Sequence, residues 1–257
     1  MVSRTTHTGR EPRIPQTTRP LLVVIGDSVL LHATPQLSAA TRNAGLDAQV
    51  VNLSVGGSGL SHTGFENWMQ SAPFIAESMK RGDRVLINLS HNDFYAMGRR
   101  NGWDNSFLDR TAYMDRETYL RNYEQLVRTF QERGIHVHVA GPAPYLRPDP
   151  GASAFLDMHY TAATQRIPVL DRELATLSAR LGVNYISMYE NRALHDRSSR
   201  INDGLHPSEH GRQIMATQIA AGIANPRLQN THTTEPRVAI NTTPTTAPAL
   251  WTLNSMV

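Results

Sequence analysis

Five short runs rich in β-branched and apolar residues recur along the chain with helical stretches between them, and this alternation restricts the fold more than any other feature. The runs are LLVVIG (Leu21 to Gly26), AQVVNLS (Ala48 to Ser54), RVLINLS (Arg84 to Ser90), IHVHVAG (Ile135 to Gly141) and VNYIS (Val183 to Ser187). Each reads as a buried strand. Between them, LLHATPQLSAATRNAG and RETYLRNYEQLVRTFQERG both end in glycine, as helices often do. The second has Leu120, Tyr123, Leu126, Val127 and Phe130 at helical spacing. RIPVLDRELATLSARLG and HPSEHGRQIMATQIAAGI are also helical, the latter with Pro207 in a favoured first-turn position. The pattern predicts an α/β fold in which a parallel sheet of about five strands is covered by helices on both faces. Functional loops in such sheets follow the carboxyl ends of the strands.

Composition narrows the function classes. The chain has 257 residues, 18% of them charged, and a net charge of +3. No Lys/Arg run with interleaved aromatics is present, so nucleic acid is not an expected partner. There is no cysteine, which excludes disulfides, thiolate catalysis and Cys-ligated zinc. Any nucleophile must therefore be oxygen, nitrogen or water. The first twenty residues lack an apolar signal-peptide core, no stretch is long enough for a membrane span, and the cytoplasm is the default compartment. Residues 1–18 and the Thr/Pro-rich residues 229–257 read as flexible tails around one folded domain, 19–228.

The predicted strand ends carry the chemistry. After the first strand comes Gly26-Asp27-Ser28, where a strand turning sharply into a helix would expose the serine hydroxyl beside helix-terminal N–H groups. A helix cap or an ordinary turn explains the same residues. After the second comes NLSVGGSGLSHTG, whose glycines can aim backbone N–H groups at a ligand. A phosphate-binding G-x-G-x-x-G fails there, because the last glycine would have to stand at His62, and the remaining alternative is a flexible turn. After the third comes Ser90-His91-Asn92-Asp93. An Asn amide there can donate into the same crevice, or it can close an Asx turn. Before the last helix stands DGLHPSEH, in which Asp203 could orient His206 as a general base.

Taken together, Ser28, Gly57, Asn92 and the Asp203/His206 pair, in this order, resemble the blocks of the SGNH (GDSL-type) hydrolases. The resemblance runs from about Leu21 to Ile223. It implies a flavodoxin-like three-layer α/β/α sandwich and a serine esterase that works through a covalent acyl-serine without metal or cofactor. Ser28 would be the nucleophile, His206 the base and then the acid, and Asp203 its orienting partner. The oxyanion hole would be formed by the Ser28 N–H, the Gly57 N–H and the Asn92 side chain, with Gly56 as the alternative glycine. The family's third block usually reads G-x-N-D, and Ser90 stands here in the glycine position. SHND is also similar to the G-H-N-D of carbohydrate acetylesterases, which implies a small acyl ester, acetyl above all, on a small molecule or a carbohydrate. An acyltransferase would use the same residues, and a non-catalytic binding protein could retain the fold.

His206, Glu209 and His210 also match the zinc pattern H-x-x-E-H. Pro207 opposes that reading, because the residue before a proline is pushed out of helical geometry, separating His206 from His210. His136 and His138, two apart on a strand, read as a core or sheet-face pair. His32, His62, His91 and His195 read as surface or loop residues. For Trp68, Trp103, Phe94, Tyr95 and Phe107, core packing is the simplest reading, and an aromatic wall beside a substrate is the other.

Overall fold

The computed structural model describes residues 14–15, 17–60, 67–90, 92–93, 116–151 and 154–225, the side chains of 154–159 and 162 excepted. Strands β1 (Leu21–Gly26), β2 (Gln49–Asn52), β3 (Arg84–Asn88), β4 (His136–Ala140) and β5 (Asn184–Ile186) form one sheet in the order β2-β1-β3-β4-β5. Every neighbouring pair is parallel. The chain winds one way from β1 to β2 and then crosses back to place β3 on the other side of β1. This flavodoxin-like order opens a crevice at the carboxyl ends of β1 and β3.

The described helices are α1 (Thr34–Asn43), α2 (Trp68–Ser78), α3 (Arg116–Gln131), α4 (Ala154–Leu181) and α5 (Glu209–Ala224). Alternate strand residues point to opposite faces, and the two faces build two cores. Val23, Ile25, Val85, Ile87 and Val139 pack with Trp68 and Ile75 of α2, Tyr123 and Phe130 of α3, and Leu174 of α4. Leu22, Val24, Leu86, Ala140 and Ile186 pack with Leu37 of α1 and with Met215 and Ile219 of α5. The expected three-layer sandwich of five parallel strands is the observed architecture. Ile14, inside the expected 1–18 tail, is buried in the first core. The remaining residues of both expected tails lie outside the described residues, apart from 15, 17 and 18.

Several local expectations require correction. β2 is an edge strand, and none of its residues is fully buried. β3, β4 and β5 are each two residues shorter than their apolar runs. The first helix begins at Thr34, with Pro35 in its first turn, rather than at Leu30. The last begins at Glu209 with Ser208 as N-cap, its hydroxyl accepting from the Gly211 N–H. Pro207 therefore precedes the cap and pairs in an isolated antiparallel bridge with Arg200. α4 extends about a dozen residues before Arg166, through a stretch not expected to be helical, and contains Pro168.

His136 begins β4 and is exposed, whereas His138 is buried. The Asn184 amide lies 3.1 Å from His138 Nδ1 and also donates to the Gly222 carbonyl. Burial, assisted by the Arg84 charge, lowers the His138 pKa to about 4. A depressed histidine contributes stability above its unfolded value near 6.5, and that contribution is lost as pH falls toward the folded value. About 2 kcal/mol should disappear between pH 8 and pH 5 on this account. Urea midpoints at the two pH values test it: His138→Gln should flatten the dependence, and an equal loss in both proteins would contradict it.

Candidate active site

β1 ends at Gly26, and its last carbonyl accepts from the Val55 N–H and the Ser58 hydroxyl. A Cβ on Gly26 would stand 2.7 Å from Ser54 Oγ, so a side chain there would require the Ser54 hydroxyl to move. Asp27, 1% exposed, accepts the Val29 N–H at 2.8 Å and shapes the turn after the strand. Ser28 lies in that turn, half-buried, five residues before the Ala33 cap of α1. It is therefore not a helix cap, and the expected helix terminus is not adjacent to it. Its hydroxyl instead meets His206 Nε2 at 2.9 Å, across 178 residues of sequence.

The loop that carries His206 is built around Asp203. One carboxylate oxygen accepts the N–H groups of Leu205 and His206, each at 2.9 Å, and the other lies 2.5 Å from His206 Nδ1. An ionised carboxylate only accepts, so Nδ1 carries the proton and Nε2 is left to accept from the Ser28 hydroxyl. Hydrogen bonding to Asp203 raises the His206 pKa above 6.5, more than burial lowers it; the charges of Asp203 and Asp27 add to the rise. Burial alone would raise Asp203, but hydrogen bonds from the His206 ring and from two backbone N–H groups lower it overall.

Glycines fix this loop against its neighbours. Gly204 has φ +73°, and a Cβ there would lie 2.1 Å from the Leu146 carbonyl oxygen. The Leu146 N–H donates to the Gly204 carbonyl, and the Asp149 N–H to that of Asn202. Leu205 enters a small apolar cluster with Tyr145, Ala163 and Ile167. At the start of α5, a Cβ on Gly211 would come within 2.0 Å of the Ser199 carbonyl oxygen, so the helix can close only over a glycine.

The β2 loop forms the opposite wall. Ser58 N–H donates to the Val55 carbonyl at 3.2 Å, and Gly57 has φ 76°, as the third residue of a type II turn requires. Gly56 lies against Ser28: a Cβ on it would be 3.9 Å from that of Ser28. The Asn92 amide donates to the Ser58 carbonyl at 2.8 Å, and Trp68 Nε1 donates to Ser58 Oγ at 3.0 Å. Asp93, buried, accepts the Leu60 N–H at 2.9 Å, in a space that a Cβ on Gly59 would fill.

Ser28, Asp203 and His206 are thus joined in one hydrogen-bonded chain, while Asn92 is tied to the loop that carries Gly57. The parts not foreseen are Ser58, Asp93 and Gly204, whose roles depend on partners that no local spacing discloses. Trp68 is a core residue with its ring N–H satisfied. His32 and His195 are exposed, and the His195 Nε2 lies 2.7 Å from the Tyr189 carbonyl oxygen. His62, His91, Phe94, Tyr95, Trp103 and Phe107 lie outside the described residues. His206 precedes α5 and His210 lies within it, while Glu209 pairs with Arg212 and Gln36. Among the described residues no group of three or more His, Asp or Glu side chains could hold a metal ion, and no helix is long and apolar enough to cross a membrane.

The Asp203–His206 ion pair has its own pH signature. Its stabilisation is fully present between the unfolded Asp value near 3.9 and the unfolded His value near 6.5, and is lost as pH falls through the depressed Asp203 value or rises through the raised His206 value. In an NMR titration the His206 ring should change charge above pH 6.5 in the wild type, and lower in Asp203→Asn. Identical titrations would contradict the pairing.

Residues 21–222 match the family described as Protein of unknown function (DUF459). No curated protein matches the sequence. Among solved structures, Est24, a carbohydrate acetylesterase from Sinorhizobium meliloti, aligns over 80% of this chain and 98% of its own, at 16% identity and TM-score 0.56. A catalytic mutant of Axe2, an acetylxylan esterase from Geobacillus stearothermophilus, aligns over 78% and 92%, at 13% identity and TM-score 0.56. A GDSL-like lipase from Bacteroides thetaiotaomicron aligns over 79% and 86%, at 15% identity and TM-score 0.54. The chain belongs to the DUF459 family, and its fold is that of the SGNH (GDSL-type) hydrolases.

Proposed function

We propose that this protein is a serine esterase that cleaves small acyl esters, acetyl above all, through an acyl-enzyme on Ser28. The observation that carries the reading is the hydrogen-bonded chain from Ser28 Oγ through the His206 imidazole to Asp203, at the crevice where the strand order reverses. A folded sheet has no need of that chain. In the proposed reaction Ser28 Oγ attacks the ester carbonyl while its proton passes to His206 Nε2, and Asp203 stabilises the imidazolium. The oxyanion is met by the N–H groups of Ser28 and Gly57 and by the second amide hydrogen of Asn92, the first being held by Ser58. Each such donor contributes about 3 kcal/mol to transition-state binding. His206 then gives its proton to the leaving alcohol, takes one from the water that attacks the acyl carbon, and returns it to Ser28 Oγ as the Oγ–acyl bond breaks and the acid leaves.

This scheme requires neither metal nor cofactor. Carbohydrate acetates are the first substrates to try, since the structural neighbours include a carbohydrate acetylesterase and an acetylxylan esterase.

Hydrolysis of p-nitrophenyl acetate, butyrate and octanoate by wild type and Ser28→Ala tests the reading. Wild type should favour acetate, and the substitution should lower kcat by about 10⁴-fold or more. Equal rates in the two proteins would sink it. Because His206 must be neutral to accept the serine proton, activity should fall as pH drops through its raised pKa. The acid limb therefore lies above pH 6.5, and a flat profile from pH 5 to 8 would contradict His206 as the base.

A further inference from the structure

Arg200, three residues before Asp203, is only 5% exposed. Nε and Nη2 both donate to the Pro144 carbonyl oxygen, at 3.3 and 2.8 Å, in the loop after β4. Nη1 donates to the Ser199 carbonyl and hydroxyl oxygens at 3.1 and 3.0 Å, and the Ser199 hydroxyl in turn donates a hydrogen bond to the Leu194 carbonyl. A buried guanidinium is costly to desolvate, and carbonyl partners alone do not neutralise it. The neighbouring Arg197 does not share that role, because its guanidinium is turned outward to Asp149 and the Ile201 carbonyl.

The same segment holds the His206 loop from below. Arg200 bridges to Pro207, the Ile201 N–H donates to the His206 carbonyl, and the Ser208 N–H donates to the Ser199 carbonyl. Arg200 is thus fastened to the β4 loop on one side and to the backbone flanking His206 on the other. The charges acting on the His206 ring are Asp203 and, from the turn after β1, Asp27, while Asp203 and Arg197 are the charges that act on Arg200. Burial lowers the Arg200 pKa to about 10, with Asp203 opposing, so the guanidinium stays charged at neutral pH.

We propose that Arg200 is a positioning residue for the Asp203–His206 pair, tethering their loop to Pro144 and setting a fixed positive charge beside the Asp203 carboxylate. The proposal rests on the esterase reading for its consequence in turnover, but not for its consequence in the titration of His206. Removing the charge leaves the Asp203 carboxylate without its opposing cation, so its pull on the His206 proton should strengthen and the ring should hold that proton to higher pH. Losing the tether should misplace Nε2 relative to Ser28, which costs turnover rather than binding.

The test pairs p-nitrophenyl acetate kinetics with an NMR titration of His206 in wild type, Arg200→Gln and Arg200→Lys. In Arg200→Gln, kcat should fall by about tenfold or more with KM within about twofold, and the titration should move up. Arg200→Lys keeps the charge without the fork, so its titration should stay at the wild-type position while kcat remains lowered. An unmoved titration or an unchanged kcat in Arg200→Gln would overturn the proposal. If Arg200→Gln does not fold, a wild-type kcat in Arg200→Lys would overturn the tether. Should the wild type hydrolyse no ester, the esterase reading fails, and the titration alone still decides the role of Arg200.

Discussion

The imidazole of His206 is held at both nitrogens, and most of the local structure at the carboxyl edge of the sheet serves to keep it there. One nitrogen is bound to Asp203 and the other meets Ser28 from the far end of the sequence. A flexible loop could not keep three side chains in such a line against thermal motion. The loop here is pinned by two backbone hydrogen bonds to one Asp203 oxygen, by Leu205 in an apolar cluster and by close contact between Gly204 and Leu146. Ser28 is fixed independently, on a turn shaped by Asp27 at the end of a fully buried strand. The proposed chemistry depends on these two supports meeting over the crevice between β1 and β3.

The opposite wall follows the same logic with different chemistry. Ser58 joins the end of β1, the Trp68 ring N–H and the Asn92 amide, so three elements converge on one residue of the glycine-rich loop. Asp93 adds a fourth anchor by accepting the Leu60 N–H beside Gly59. Preorganised donors are effective because they need no reorganisation when charge develops. Two glycines of this loop therefore have distinct tasks: Gly57 supplies the turn and Gly59 makes room for a carboxylate.

Much of this was legible in the residues. Five apolar runs are enough to indicate a parallel sheet, because strands covered on both faces are largely apolar, although the second run forms an edge strand that is not fully buried. The order of Ser28, Gly57, Asn92, Asp203 and His206 indicates a site, because strand ends converge in such sheets. Pro207 correctly divided the H-x-x-E-H match, although the helix begins two residues beyond it, at a Ser208 cap. What could not be read were contacts between loops remote in sequence. Gly211 is explained only by the Ser199 carbonyl it faces, and Arg200 only by Pro144, fifty-six residues away. Ser28 looked like a possible helix cap because local spacing does not disclose the turn between it and α1.

The central claim is that Ser28 becomes covalently acylated, and trapping the residue by its own reactivity tests this most directly. A fluorophosphonate, which phosphonylates a serine activated by a neighbouring base, should add one equivalent to the folded protein. Peptide mass spectrometry should place that adduct on Ser28, with labelling suppressed when an acetyl ester competes. An adduct on another residue, or no adduct while ester hydrolysis proceeds, would contradict the account.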